Sequence, residues 1–559
     1  KVHWIKNSRC CDLKGKIMTE MHFATVWEQI SDLQPDALAA ICGDTVRTWK
    51  EYENRAARVA GYLDQQGLKS DSKVGLYLHN CNEYLEAQFG VMKMRGVAIN
   101  VNYRYQEEEL VYLLDNADCE ALVYLACYAD RVQSIRHKLP GIRSFIRVDD
   151  GTGGSLQSDI EYEDLVANTD PMPRIERSEE DIYMLYTGGT TGMPKGVMYS
   201  QGQMAAGMTM GWAVLGGLEE PPATPEALAT ACAALTSSGS QLISLAACPL
   251  MHGTGMWIGS LIPHMMGGAV VTISELGLDP AKIWKEVVRN QVSFLVIVGD
   301  AFARPLLSEL DKAKDEGAPH DISSVLAMMS SGVMWSKEVK KGLLDHHEMM
   351  LIDAMGSTEG SMGTSVATRE DVSQTAKFEM GEDVRVFNEN DEAVKPGSGE
   401  MGMIGTAGNV PLGYFKDPVK SAATFREIDG IQYSFPGDYA TVDDDGSIIL
   451  LGRGSKCINT AGEKVFPEEV EEAIKRSEAI RDCLVVGLPD DKFGQRVVAV
   501  ASFVEGLEVD EATLVEETRK HLSGFKLPRQ VFFVPHVNRL PNGKADYTWA
   551  EETAVELSS

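Results

Sequence analysis

The sequence predicts an α/β protein: a large N-terminal domain of several subdomains with mostly parallel sheets, followed by a small mobile α+β domain at the C-terminus. Three observations predict it. From Met21 to about Val166, segments of helical period alternate with short strand-period segments, the pattern of parallel sheet crossed by helices. Gln291 to Val298 and Ser323 to Ser330 read as buried strands, each ending on glycine and small residues. Near residue 452 the composition changes, at Gly452-Arg453-Gly454-Ser455-Lys456-Cys457, and the roughly 100 residues beyond it are an ordinary domain size. With 559 residues the chain exceeds what one core normally supports. The expected division is 1–17 as a leader or cloning remnant, 18–452 as the large domain and 453–559 as the mobile one.

The elements follow in order. Lys1 to Ile17 is basic and lacks the apolar centre of a secretory signal, and Met18-Thr19-Glu20 resembles a natural start. Arg55 to Gly67 and Glu83 to Arg95 carry apolar residues at helical spacing; Lys73 to Leu78, Val97 to Asn102 and Ala121 to Tyr124 are strand candidates. Ile182 to Leu185 reads as a strand ending in a glycine-rich loop. Gly216 to Ser240, rich in Pro, Ala and Thr, reads as an irregular insertion: a solvated loop, a lid or a contact between copies in a homodimer. Leu245 to Ile273 is core and pocket wall. The ends of 291–298, 323–330 and Leu351-Ile352-Asp353 open together on a ligand crevice, as strand carboxyl ends do in α/β enzymes. In the small domain a helix is expected from Pro467 to Arg476, with proline in its first turn and acids early, and strands at Asp482 to Gly487 and Val497 to Val504.

Composition excludes several classes. A formal charge of −30 argues against a coat for nucleic acid or anionic membrane, both of which need basic surface. Ten cysteines without CxxC pairs fit reduced thiols of the cytoplasm rather than a disulfide framework or zinc site; Cys10-Cys11 is the one adjacent pair. No run of eighteen apolar residues predicts an integral membrane segment.

The chemistry is concentrated in Tyr186-Thr187-Gly188-Gly189-Thr190-Thr191-Gly192-Met193-Pro194-Lys195-Gly196-Val197. Glycines let a backbone approach a bulky anion and aim N–H groups at it, threonine hydroxyls add donors, and lysine adds a compact positive charge. The stretch asks for a phosphate. It is not a Walker loop, because Pro194 precedes Lys195 and Gly196 follows it. It resembles the signature loop of the adenylate-forming superfamily, with glycine at 188 and 189 where the usual spelling has a serine.

An ordered series downstream extends the resemblance across nearly the whole chain: Pro249 to Gly255, Met355-Gly356-Ser357-Thr358-Glu359-Gly360, Gly437-Asp438, Gly452-Arg453, Gly462 to Glu471 and Pro541-Asn542-Gly543-Lys544-Ala545-Asp546-Tyr547. The spellings are most similar to acyl-CoA synthetases that activate fatty acids and steroid side-chain acids. That resemblance implies ATP, Mg2+ and coenzyme A as co-substrates and cofactor, and a carboxylic acid as substrate. It implies that Lys544 reaches one carboxylate oxygen and the α-phosphate together, and that Glu359 and Thr191 face the metal. Thr187, Gly188, Gly189, Thr190, Gly192 and Lys195 would hold phosphate with Ser357 and Thr358 nearby. Adenine would lie at Ser331, Gly332, Asp353, Met355 and Gly356, where the family usually stacks an aromatic ring in place of Met355. Asp438 would accept from the ribose hydroxyls, Arg453 would touch ribose or phosphate, and His252 would gate the acid. The acyl tunnel is expected near Trp257, Ile297 to Phe302 and Val333-Met334. The small domain would swing about Gly454 to Lys456. Two rivals stand beside this reading: a ligase that delivers its acyl group to a carrier protein or another acceptor, and a non-catalytic nucleotide-binding protein.

Overall fold

In the computed structural model, which describes residues 21–154, 158–188, 193–218, 220–371, 375–460, 463–490, 493–522, 524–540 and 544–558, the first sheet is five-stranded and wholly parallel. Its strands Lys73–Tyr77, Val97–Asn100 and Cys119–Leu125 fall where the period-2 runs place them, and the helices Trp49–Gln65 and Asn82–Lys93 cover it. Thr48 starts the first of these helices with a reciprocal capping box to Glu51, satisfying two otherwise orphaned N–H groups. The leader 1–17 and Cys10-Cys11 lie outside the described residues.

A second, fifteen-stranded sheet runs through the large domain. Beyond the antiparallel edge strand Thr45–Thr48, its first half is parallel, through Ile243–Ala246, Phe294–Ile297, Ala327–Ser331 and Met350–Ser357. These buried apolar strands end side by side, as the sequence predicts. The second half corrects the expectation of mostly parallel sheets: from Gly360–Ala367 onward the pairing is antiparallel. The reason is local, since Met350–Ser357 and Gly360–Ala367 are joined by two residues, too few for a crossover.

The stretch 216–240 is also corrected. It contains the helix Pro225–Ser237, started by Thr224, whose hydroxyl accepts from the Ala227 N–H, with proline at the first turn. Leu228, Ala229 and Cys232 are buried against the core, so the alanine-rich composition that suggested a loop is a packed helix face. The smaller C-terminal unit has its own five-stranded sheet, built on the long hairpin Ile480–Asp490 and Gly494–Phe503. Helices Pro467–Ile474 and Tyr547–Ser558 pack on it, and it has its own apolar clusters. Among the described residues no helix is long and apolar enough to cross a membrane.

Candidate active site

The strand Ile182–Thr187 delivers Thr187 and Gly188 to the crevice, and the facing strand Lys195–Ser200 carries the chain back. Gly188 faces open space. Gly189, Thr190, Thr191 and Gly192 lie outside the described residues. What holds the loop's root is a residue the sequence shows only as part of a strand: buried Asn100 donates to the carbonyls of Tyr186 (2.8 Å) and Met251 (2.7 Å) and accepts from the Tyr186 N–H (2.7 Å). One amide thus ties the phosphate-side strand to the turn that precedes His252. Asn80 fixes the other side of that turn through the Cys248 carbonyl (3.0 Å) and the Leu250 N–H (2.8 Å).

Lys195 stands above the ring of Tyr414 (5.6 Å to its centre), 3.6 Å from Asp417. Burial and the neighbouring ammonium of Lys420 lower its pKa. The Tyr414 hydroxyl donates to Glu359 Oε1 at 2.8 Å, while Tyr199 donates to the Thr358 carbonyl (3.0 Å) and Ser357 Oγ accepts from the Glu359 N–H (3.1 Å). Glu359 is therefore held by a tyrosine 55 residues away, which no motif signalled. Replacing Tyr414 by phenylalanine keeps the ring under the lysines and removes one bond from Glu359. On the activity that the motif resemblance implies, adenylate formation is expected to fall about 10-fold and the apparent magnesium requirement to rise; assays across a magnesium series check this.

On the facing side, Gly332 is left-handed (φ +91°). A side-chain carbon there would lie in ordinary contact with Thr254 Oγ1 (3.8 Å) and Lys544 Cε (3.9 Å), so the lysine reaches from the small domain to this glycine, whose positive φ is what calls for glycine. Lys544 is solvent-accessible, yet protein encloses it closely enough that burial, with Arg453 adding, lowers its pKa; Glu359 and Asp438 oppose the shift. His252 is driven down to about 4 by burial, then by Lys544 and Arg104, and so is neutral at pH 7.

Asp438 and Arg453 pair on neighbouring strands, Nε to Oδ1 at 3.2 Å. Burial raises the Asp438 pKa against the pull of Arg453, and its Oδ2 is buried with no hydrogen-bond partner among the described residues. A buried orphan acceptor suits a hydroxyl donor such as a ribose supplies. Among the described residues no three His, Cys, Asp or Glu side chains gather to hold a metal. A lone carboxylate such as Glu359 suits Mg2+, which keeps waters and substrate phosphates as its other ligands.

Three expectations are corrected. Asp353 does not face the crevice: it is buried against Lys340 (3.1 Å), and burial pushes it up to about 6 although Lys340 pulls the other way. It braces the strand Met350–Ser357. Met355 packs into the apolar cluster of Met362, Phe378 and Val384 and keeps only 8% of its surface exposed, because strand alternation carries it to that core. Gly356 and Ser357 do reach the crevice end of the strand, beside Thr358 and Glu359. Trp257 lies on the π-helical stretch Thr254–Leu261, its indole donating to the Tyr183 hydroxyl at 2.8 Å, and Ile297 is fully buried. Neither lines the large cavity beside the site, of about 640 Å3, which Asp300, Ala301, Phe302, Val333 and Met334 do line.

The seam between the two units passes through Gly452 and Glu468. Gly452 (φ +137°) presses against the Glu468 carboxylate, whose Oε2 is buried without a partner among the described residues. Burial, with the Asp438 carboxylate adding, raises Glu468 to about 7. A raised acid stabilises the folded state while protonated; that contribution is full below its ordinary value of 4.5 and is lost as pH rises through about 7. Glu468→Gln is expected to flatten the fall in melting temperature between pH 5 and 8, by about 2 °C, as calorimetry can measure.

Residues 27–415 match the family model described as AMP-binding enzyme, and residues 469–544 that of the AMP-binding enzyme C-terminal domain. The chain belongs to the AMP-binding enzyme family. It is 39% identical over 542 residues to a 3-oxocholest-4-en-26-oate–CoA ligase of Rhodococcus rhodochrous, covering 95% of this chain and 96% of that protein. It is 36% identical over 545 residues to a medium/long-chain-fatty-acid–CoA/3-oxocholest-4-en-26-oate–CoA ligase of Mycolicibacterium smegmatis, covering 96% and 97%. The anthranilate CoA ligase AuaEII in complex with anthranoyl-AMP shares the fold, with a TM-score of 0.81 at 19% identity over 96% of this chain and 98% of that one. Within the family this chain is an acid–thiol ligase, an AMP-forming acyl-CoA synthetase.

Proposed function

We propose that the chain activates a medium-chain, long-chain or sterol-linked carboxylic acid as its adenylate and passes the acyl group to coenzyme A, using Lys544 for the first step. The observation that carries this reading is the position of Lys544, over Gly332 and within electrostatic reach of Glu359, Asp438 and Arg453. A carboxylate acylates poorly because its leaving group would be oxide. Attack of a carboxylate oxygen on the α-phosphorus of ATP, with pyrophosphate leaving, gathers negative charge at that phosphate, and an ammonium that touches both reacting groups neutralises it and holds them in line.

The other roles follow. Thr187, Gly188 and the loop through Thr191, with Lys195, would hold the phosphates; Glu359 and Thr191 would hold Mg2+, which would supply positive charge against the phosphates. Asp438 takes the ribose hydroxyls, and Arg453 stands beside it. Adenine lies along Ser331 and Gly332. His252, neutral at pH 7, orders the acid without competing for a proton, since a carboxylate needs no base. The small domain then turns about Gly454 to Lys456, withdrawing Lys544 before the thiol attacks. The acid class rests on the two ligases named above and on the partly apolar cavity of about 640 Å3, within the usual range for small-molecule sites. Unpaired cysteines, several of them buried, fit a reducing cytoplasm.

A panel of fatty and sterol-linked acids tests this by AMP release with and without free CoA. Steady AMP release that requires CoA is expected. Pyrophosphate exchange without transfer to CoA would favour a carrier-protein acceptor, and no exchange with any acid would favour a non-catalytic protein.

A further inference from the structure

The cavity beside the site is not built by the large domain alone. Among charged side chains such as Arg304 and Arg481, it is lined on one side by Phe302, Val333 and Leu278 and on the other by Val537 and Leu540 of the small domain. Val333 follows Gly332, over which Lys544 lies, so the cavity begins where the acid's carboxylate would be held. Two large apolar side chains are left uncovered around this one space: Leu540 is 41% exposed and Leu276, from the large domain, 56%. Uncovered leucines lining a cavity next to a reaction site mark a place for an apolar ligand.

Leu540 is also mechanically joined to Lys544. Its N–H donates to the Lys544 carbonyl at 2.8 Å, and Arg539 and Ala545 form an antiparallel bridge. Arg539 in turn holds both carboxylate oxygens of Asp482 at 2.6 Å, pinning this segment to the strand Ile480–Asp490. A movement that withdraws the Lys544 amine therefore withdraws the Leu540 side chain as well.

We propose that Leu540, backed by Val537, is a specificity-determining wall for the acid's tail, supplied by the small domain only while Lys544 is in place. The proposal rests on the acyl-CoA ligase reading and deepens it. An acid long or bulky enough to cross the cavity is gripped between both domains during adenylation, and loses one wall when the small domain turns for thioester formation. A short acid ends within the large domain and never touches Leu540. Each methylene removed from water is worth about a factor of four in binding, so the grip grows steeply with tail length.

The test is ATP–pyrophosphate exchange with butyrate, octanoate, dodecanoate and a sterol-linked acid, on wild type, Leu540→Ala and Leu540→Trp. Leu540 is half exposed, and melting temperatures check that both variants fold. Leu540→Ala is expected to raise KM for dodecanoate about 10-fold, the loss of two methylene contacts or so, and to leave KM for butyrate within about twofold. Leu540→Trp is expected to exclude the sterol-linked acid while butyrate is still adenylated. Changes equal for every acid would overturn the wall and leave Leu540 a packing residue of the Lys544 turn; no change for any acid would overturn it too. Wild-type protein that adenylates none of the four would overturn the ligase reading, and this proposal with it.

Discussion

Replacing Lys544 by alanine is expected to lower ATP–pyrophosphate exchange by about 10²–10³-fold, the scale of losing one well-placed electrostatic partner of a transition state. Thioester formation from a supplied acyl-adenylate should stay close to wild type. The asymmetry follows from position. In this arrangement the ammonium lies over Gly332, with Glu359 and Asp438 close enough to affect its charge. Among the described residues no other lysine comes within 4 Å of a side-chain carbon placed on that glycine, and on the proposed mechanism the small domain carries the amine away before the thiol arrives. Arginine at 544 should not rescue, because its longer, planar, delocalised guanidinium does not bring a compact charge to the point the lysine amine reaches. Rapid-quench measurement of each half-reaction separates the steps, and equal losses in both would refute the role given to Lys544.

The second large effect is expected at Glu359. Substitution by glutamine keeps the size of the side chain and an oxygen that still accepts from Tyr414, so the framework at the end of the strand Met350–Ser357 is retained. Only the charge goes. Adenylate formation should fall about 10²-fold, with the magnesium concentration for half-maximal rate rising, whereas calorimetric binding of ATP without metal should change little. Were the magnesium requirement unaltered, Glu359 would be a partner for Tyr414 and nothing more. The smaller loss expected for Tyr414→Phe is the companion measurement, since it leaves the charge and loosens only its orientation.

Much of the site was legible because its residues announce themselves locally. A glycine- and threonine-rich loop after an apolar strand, and an isolated lysine in a Pro-Asn-Gly-Lys turn, need few neighbours to be noticed. The supporting residues were not legible. Asn100 lies in an unremarkable strand and Tyr414 in a polar stretch, and each acquires its role only by meeting partners 86 and 55 residues away, respectively. The misreadings at Asp353, Met355 and Trp257 share a cause. Motif position placed them near the nucleotide or the acid, but strand alternation and local packing turned their side chains toward Lys340, an apolar cluster and Tyr183. The helix at Pro225–Ser237 was hidden because alanine-rich helices lack the contrast between faces that makes a period visible.

The sequence by itself determined the α/β class, the strand ends that open together, the phosphate-seeking loop and the pairing of a large unit with a small one. Those features depend on periodicity and on residue chemistry, which neighbours along the chain suffice to set. Only the tertiary structure decided that Lys544 comes to lie over Gly332, that Asp438 keeps a buried oxygen without a partner among the described residues, and that Leu540 lines the large cavity from the small domain's side. The first and the last depend on how the two units meet, where Gly452 presses against Glu468, and no local pattern encodes that packing.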